Sequence, residues 1–301
     1  FSRMISVYRF LIVLVGVVLL MPAWAGDKIT TAEQAISRAQ LFLTKVGWTT
    51  TAKPVAVFPA PHGFTHAWSV EYPLRGDFNE SIMLRIDRMT GQVQSAINFG
   101  ALQRLPAGDK VTITKEQASA AADKVLALAG VSMKSLKLAQ SQPECHTAPP
   151  QDQRWTVRYH RMHAGYQFLQ DSVEVSLHPH DASLISFKAS LSSPTPKSMT
   201  VAIKEDGARK IAKQYLTEKK RAIRRIDSAR LLIISPNHYY EKTKPAAKET
   251  ITRLAWVIHC IRQNEPLKRL DGTVFTPDDE HYADVWVDAE TGKVLGGMAC
   301  T

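Results

Sequence analysis

An amphipathic helix, a strand carrying a tryptophan and a strand–turn–strand hairpin recur three times along this chain, and that recurrence constrains its fold more than any single motif. The hairpin is written Met83-Leu84-Arg85-Ile86-Asp87-Arg88-Met89-Thr90-Gly91-Gln92-Val93 and again Asp284-Val285-Trp286-Val287-Asp288-Ala289-Glu290-Thr291-Gly292-Lys293-Val294. Asp87 and Asp288 end a strand, where a carboxylate bonds backbone N–H groups of the turn. Gly91 and Gly292 accept the positive φ that closes a short loop. In the middle copy His178 stands at the Asp position and Ala182 at the Gly position, so this turn is expected to lack its side-chain chemistry.

Each hairpin is preceded by an aromatic strand: Trp68 to Tyr72, Trp155 to Tyr159 and Trp256 to Cys260. A further β-rich stretch lies upstream of each, at 54–58, 135–140 and 229–235. Alternation sends Trp68, Val70 and Tyr72 to one face, and Trp155, Val157 and Tyr159 likewise. The helices announce themselves by Thr31 and Thr114, each with Gln three residues on, the pattern of a capping box. Behind these caps run apolar stripes such as Ala35, Ile36, Ala39, Phe42 and Val46. The third stripe, Ala208, Ile211, Ala212, Tyr215 and Leu216, has a weaker start signal. One stripe per helix implies one covered sheet face, with Trp68, Trp155 and Trp256 as core anchors. The expected fold class is α+β: three tandem repeats, each one helix packed on an antiparallel four-stranded sheet, over residues 26–104, 105–196 and 197–301.

Residues 1–25 read differently. Arg9 precedes the apolar run Phe10 to Met21 and the small-x-small sequence Ala23-Trp24-Ala25, which together make a secretory signal peptide. Export to a periplasmic or extracellular setting is therefore expected. In such an oxidising compartment two of Cys145, Cys260 and Cys300 supply a disulfide and one is left over, with three pairings open. Removing 1–25 takes away two of the 38 basic residues, Arg3 and Arg9, and none of the 28 acidic ones, so the remainder carries +8. That balance favours anionic surroundings such as a membrane surface or an acidic wall polymer. Its densest run is Lys219, Lys220, Arg221, Arg224 and Arg225, a pattern that a solvated helix end also explains. The export signal argues against a nucleic-acid partner.

The chain contains no HExxH, CxxC, GxSxG, P-loop or dinucleotide-binding glycine pattern. His160 with His163, and His178 with His180 and Asp181, are the histidine groupings that invite a metal test. The odd spacing of the first sends its side chains to opposite strand faces, and turn histidines are commonly just solvated. Asp87 and Asp288 occupy equivalent turns, which is a structural placement and not that of an acid–base pair. No catalytic residue, cofactor or metal is expected. Tyr239 and Tyr240 in a polar loop suit a protein contact, because tyrosine offers amphipathic area at low entropy cost.

The helix, the Trp strand and the Val-Asp-x-x-Thr-Gly-x-Val ending at 287–294 together resemble the PepSY domain, and residues 80–94 match nearly as well. The middle copy, with Tyr159, Gly165 to Leu169 and Ser172 to Val175, is similar to the related fungalysin/thermolysin propeptide module. The resemblance implies a bacterial, exported, non-enzymatic protein that binds a protein partner, either a peptidase it restrains or another envelope protein. An envelope module holding an anionic wall polymer or membrane surface through its basic face is the alternative.

Overall fold

The computed structural model describes residues 28–61, 66–73, 81–103, 111–145, 153–219, 221–237, 239–240, 251–262, 267–268, 273–275 and 282–300. Residues 1–25, expected to be a signal peptide, lie outside them. Helix α1 (Ala32–Val46) begins at Thr31 through a complete capping box. The Thr31 hydroxyl accepts from the Gln34 N–H at 3.3 Å, and the Gln34 amide oxygen accepts from the Thr31 N–H at 3.2 Å. Helix α3 (Lys115–Ala129) repeats this with Thr114 and Gln117 at 3.3 and 2.8 Å. Both helices stop at a left-handed glycine, Gly47 and Gly130, whose N–H and that of the next residue return to carbonyls of the last turn. Helix α4 (Glu205–Glu218) starts at Lys204 without a side-chain cap, and Glu205 and Asp206 in its first turn complement the dipole instead. Between them lies a short helix, α2 (Phe99–Gln103).

The strands are β1 (Val55–Val57), β2 (Ala67–Tyr72), β3 (Ile82–Asp87), β4 (Val93–Asn98), β5 (Leu136–Cys145), β6 (Gln153–His163), β7 (Tyr166–Leu177), β8 (Leu184–Ser190), β9 (Ile223–Ile234), β10 (Arg253–Arg262), β11 (Leu267–Lys268), β12 (Val274–Phe275), β13 (Tyr282–Asp288) and β14 (Val294–Cys300). Twelve of them form one hydrogen-bonded sheet in the order β1-β2-β3-β4-β8-β7-β9-β10-β13-β14, with β5 on β6 and β6 on β7. This overturns the expected three modules of one helix on a separate four-stranded sheet. The described residues also hold the unanticipated α2 and a small β11–β12 hairpin. The physical reason is edge satisfaction. A four-stranded open sheet leaves two rows of unpaired backbone groups, and here β4 pairs with β8 and β7 with β9, the latter in parallel at Phe168 and Ile233. Side-chain alternation reports which face of a strand is buried and nothing about which edges meet.

The described residues form two compact units, one drawn from 28–132, 145–154 and 176–187 and the other from 133–144, 155–175 and 188–300, so the middle repeat is divided between them. In the first, Ala35, Ala39, Phe42 and Leu43 of α1 and Ala118, Ala122, Val125, Leu126 and Ala129 of α3 are buried, as are Val70, Leu84, Ile86 and Val93 of the strands. Arg38 of α1 donates from Nε to the Gly91 carbonyl at 2.8 Å, and burial lowers its pKa. In the second unit, Ala208, Ala212 and Leu216 of α4 pack with Ile258, Cys260, Val285, Val287 and Tyr240. A further buried group on the third repeat's strands comprises Leu232, Ile234, Ala255, Val257 and Trp286.

Candidate interaction surfaces

The three hairpin turns share one set of backbone bonds. Asp87, His178 and Asp288 each donate N–H to the carbonyl five residues on, at 2.8 Å in all three. Gly91, Ala182 and Gly292 each donate back to them, at 2.9, 3.1 and 3.0 Å. The carbonyl of the next residue then receives the stretch leading into the helix of the same repeat. Ile29 donates to Arg88, Thr112 and Ile113 to Pro179, and Ala202 and Ile203 to Ala289, all between 2.8 and 3.2 Å. Each turn is thus the seat of its own helix. Asp87 Oδ1 accepts from the N–H groups of Met89 and Thr90, and Asp288 Oδ1 from those of Glu290 and Thr291.

The middle turn keeps this hairpin geometry with His178 at the Asp position and Ala182 at the Gly position. Ala182 adopts φ 58°, and Asp181 Oδ1 accepts from the Ser183 N–H at 2.8 Å. His178 Nδ1 faces the His180 N–H at 3.4 Å, and His180 Nδ1 lies 3.3 Å from the Thr112 hydroxyl. These histidines brace the seat of α3. His160 lies on β6 with a buried Nδ1 that has no hydrogen-bond partner among the described residues, and burial, then Arg158 and Arg230, lower its pKa. Among the described residues no three His, Cys, Asp or Glu side chains converge as metal ligands.

Trp68 and Trp155 are buried, Trp256 partly so, and each indole N–H is used. Trp68 donates to the Ile29 carbonyl at 3.2 Å, Trp155 to the Ser141 hydroxyl at 3.0 Å and Trp256 to the Ile203 carbonyl at 2.8 Å. Cys260 is a free, buried thiol whose pKa burial pushes up to about 12, with Asp284 adding to the rise. Cys145 and Cys300 end β5 and β14, and their side chains lie outside the described residues.

Tyr239 and Tyr240 part company. Tyr240 joins the core and donates its hydroxyl to the Asp284 carbonyl at 2.7 Å, whereas Tyr239 is exposed. Arg221 lies over both rings, 5.9 Å from the Tyr239 centroid and 5.1 Å from that of Tyr240, and Lys219 lies 5.3 Å from that of Tyr215. Lys219 and Arg221 of the basic run and the two tyrosines, read separately in sequence, thus lie together. A second juxtaposition was not legible at all: Ser228, His259 and Asp284 face one another across β9, β10 and β13, with His259 Nδ1 2.6 Å from Asp284 Oδ1 and its ring stacked on Tyr282. No hydrogen bond joins Ser228 to the imidazole, so this is an ordered Asp–His pair and not an assembled nucleophile.

The strand edges differ in kind. β1 is only three residues long, with Val55 and Val57 exposed. The outer side of β14 is occupied by Asn237, whose N–H donates to the Leu295 carbonyl at 3.1 Å, while its side-chain amide exchanges two hydrogen bonds with Gly297 at 2.9 and 3.0 Å. β5 is ten residues long and, among the described strands, pairs with β6 alone. It is pinned from behind by Arg158 of β6, which binds Glu144 at 2.7 and 3.0 Å, Gln140 at 2.9 Å and Glu174 at 2.8 Å.

No family model matches the chain, and no curated protein matches it. Among solved structures it is similar to the Bacillus megaterium YpeB C-terminal domain, at 15% identity and a TM-score of 0.47, covering 91% of this chain and 100% of that one.

Proposed function

We propose that this protein is an exported, non-catalytic binding module of PepSY type that takes up an extended segment of a protein partner, a peptidase or another envelope protein, along the edge of β5. The observation that carries the reading is the contrast among the edges: β14 is occupied by Asn237, β1 is very short, and β5 offers ten residues bonded by Arg158 at Gln140 and Glu144. Strand addition draws its affinity from backbone hydrogen bonds and its selectivity from alternate side chains. Pro143 has no N–H to give a ladder, which assigns it to the unpaired side of an edge strand. Ala139 shares its parity and so turns its own N–H the same way.

The test is capture of partners from the envelope fraction of the exporting cell across a salt series, with the wild type beside Ala139→Pro. A strand-addition partner is retained as salt rises and is lost from the variant, while circular dichroism of the two proteins is the same. Equal capture by both proteins, or capture that vanishes at moderate salt, counts against the reading.

A further inference from the structure

The surface formed by Lys219, Arg221 and Tyr239 belongs neither to the turns that seat the helices nor to the β5 edge. Its cations are held by aromatic rings and not by acids. Arg221 stands over Tyr239 and Tyr240, Lys219 over Tyr215, and among the described residues neither cation has a carboxylate partner. Among the described residues, Glu218 accepts from Gln214 Nε2 at 2.9 Å, Asp227 lies 3.7 Å from Arg225, and Asp284 holds His259 at 2.6 Å. The rings themselves are fixed. Tyr240 is buried and anchored on the Asp284 carbonyl, Tyr215 meets it edge-to-face at 5.6 Å, and Tyr239 meets it edge-to-face at 5.0 Å. Tyr239 remains 47% exposed, so an aromatic ring and a guanidinium stand side by side at the surface.

We infer that this surface binds an anionic polysaccharide, with the exposed ring of Tyr239 packing against a sugar and Arg221 and Lys219 taking its acidic groups. A guanidinium presents a planar fork that matches a carboxylate, and an ammonium supplies a point charge beside it. An aromatic ring is the complement of the apolar C–H face of a pyranose, a pairing that a merely charged surface does not provide. Helix-end cations that only complement the dipole need no tyrosine beneath them. This site is independent of the β5 edge, and either can fail without the other.

The test uses polygalacturonate as the probe, with dextran as the uncharged polymer and phosphatidylglycerol vesicles as the lipid surface, titrated against the whole protein at low and physiological ionic strength. Binding to polygalacturonate and not to dextran is expected. Combined Lys219→Ala and Arg221→Ala is expected to weaken it about tenfold or more, the effect of losing charge-assisted hydrogen bonds. Tyr239→Ala, at an exposed ring, is expected to weaken it several-fold with the charge unchanged. The charge-matched pair Lys53→Ala and Lys188→Ala, at exposed sites with no cation–aromatic contact to these rings, is the control. The inference is overturned if polygalacturonate does not bind, if the control pair weakens binding as much as the cluster pair, if Tyr239→Ala has no effect, or if vesicles alone are bound.

Discussion

Asn237 pairs with Gly297 as a neighbouring strand would, its side-chain amide donating to the Gly297 carbonyl at 2.9 Å and accepting the Gly297 N–H at 3.0 Å. The approach is possible because positions 296 and 297 carry no Cβ. A methyl group at 296 runs into Asn237, and one at 297 into the Asp284 carbonyl and the Tyr240 ring. Gly297→Ala is therefore expected to destabilise the protein by about 2–4 kcal/mol, through overpacking and loss of the clamp. Asn237→Ala, which leaves two Gly297 backbone groups unpaired, is expected to cost about 1–3 kcal/mol. Urea unfolding of the two variants checks both, and wild-type midpoints would remove the clamp from the account.

The middle turn predicts opposite signs at equivalent positions. Ala182 holds φ 58°, a conformation that costs a residue with a Cβ about 1–2 kcal/mol. Ala182→Gly is expected to relieve part of that and raise stability by about 0.5–1 kcal/mol. Gly292→Ala is expected to lower it by a similar amount or more, because φ is 75° there and the new methyl meets Ile211 at 3.3 Å. Thermal melts of the two variants give the comparison directly.

Asp171 is 2% exposed and is held by Arg161 at 2.8 Å and by the Ser193 hydroxyl at 2.6 Å, with the Arg161 guanidinium lying over the Phe168 ring at 4.2 Å. Removing one partner strands a buried charge. Arg161→Ala is expected to cost about 3–5 kcal/mol, and the double change Arg161→Met with Asp171→Leu considerably less. A double-mutant cycle by denaturant unfolding measures the difference. Additive losses would show that the two side chains are not coupled.

Alkaline pH tests the buried thiol. Cys260 has an ordinary pKa of 9.0 and is pushed up to about 12 in the fold, first by burial and then by Asp284. Between these values the unfolded chain gives up its proton while the folded chain keeps it, so stability falls as pH rises from 9.0 toward about 12. Tyr240, also raised by burial, adds to the same trend. Cys260→Ala is expected to flatten the decline, and native Cys260 is expected to resist thiol reagents at pH 8 until the protein unfolds. Rapid labelling of Cys260 in the folded state would contradict its burial.

Local chemistry was legible along the chain because it acts over a few residues. Thr31 and Thr114 cap their helices, Asp87 and Asp288 organise their turns, and Trp68 and Trp155 are buried. Long-range pairing was not legible. Nothing in the alternation of β4 or β7 states that β8 or β9 lies alongside, and three modules were expected where twelve strands share one sheet. At Ala182 the backbone bonds and the seating of Thr112 and Ile113 hold a residue of positive φ in place. The sequence by itself determined the repeat, its caps and its turn chemistry, since these depend on neighbours within about one helical turn or hairpin. Only the tertiary structure decided that Asn237 occupies the β14 edge, that Arg221 sits on Tyr239 and Tyr240, and that β5 pairs with β6 alone among the described strands. Those are contacts between segments whose approach is set by packing and by the need to pair every backbone group, a constraint that belongs to the whole chain and not to any stretch of it.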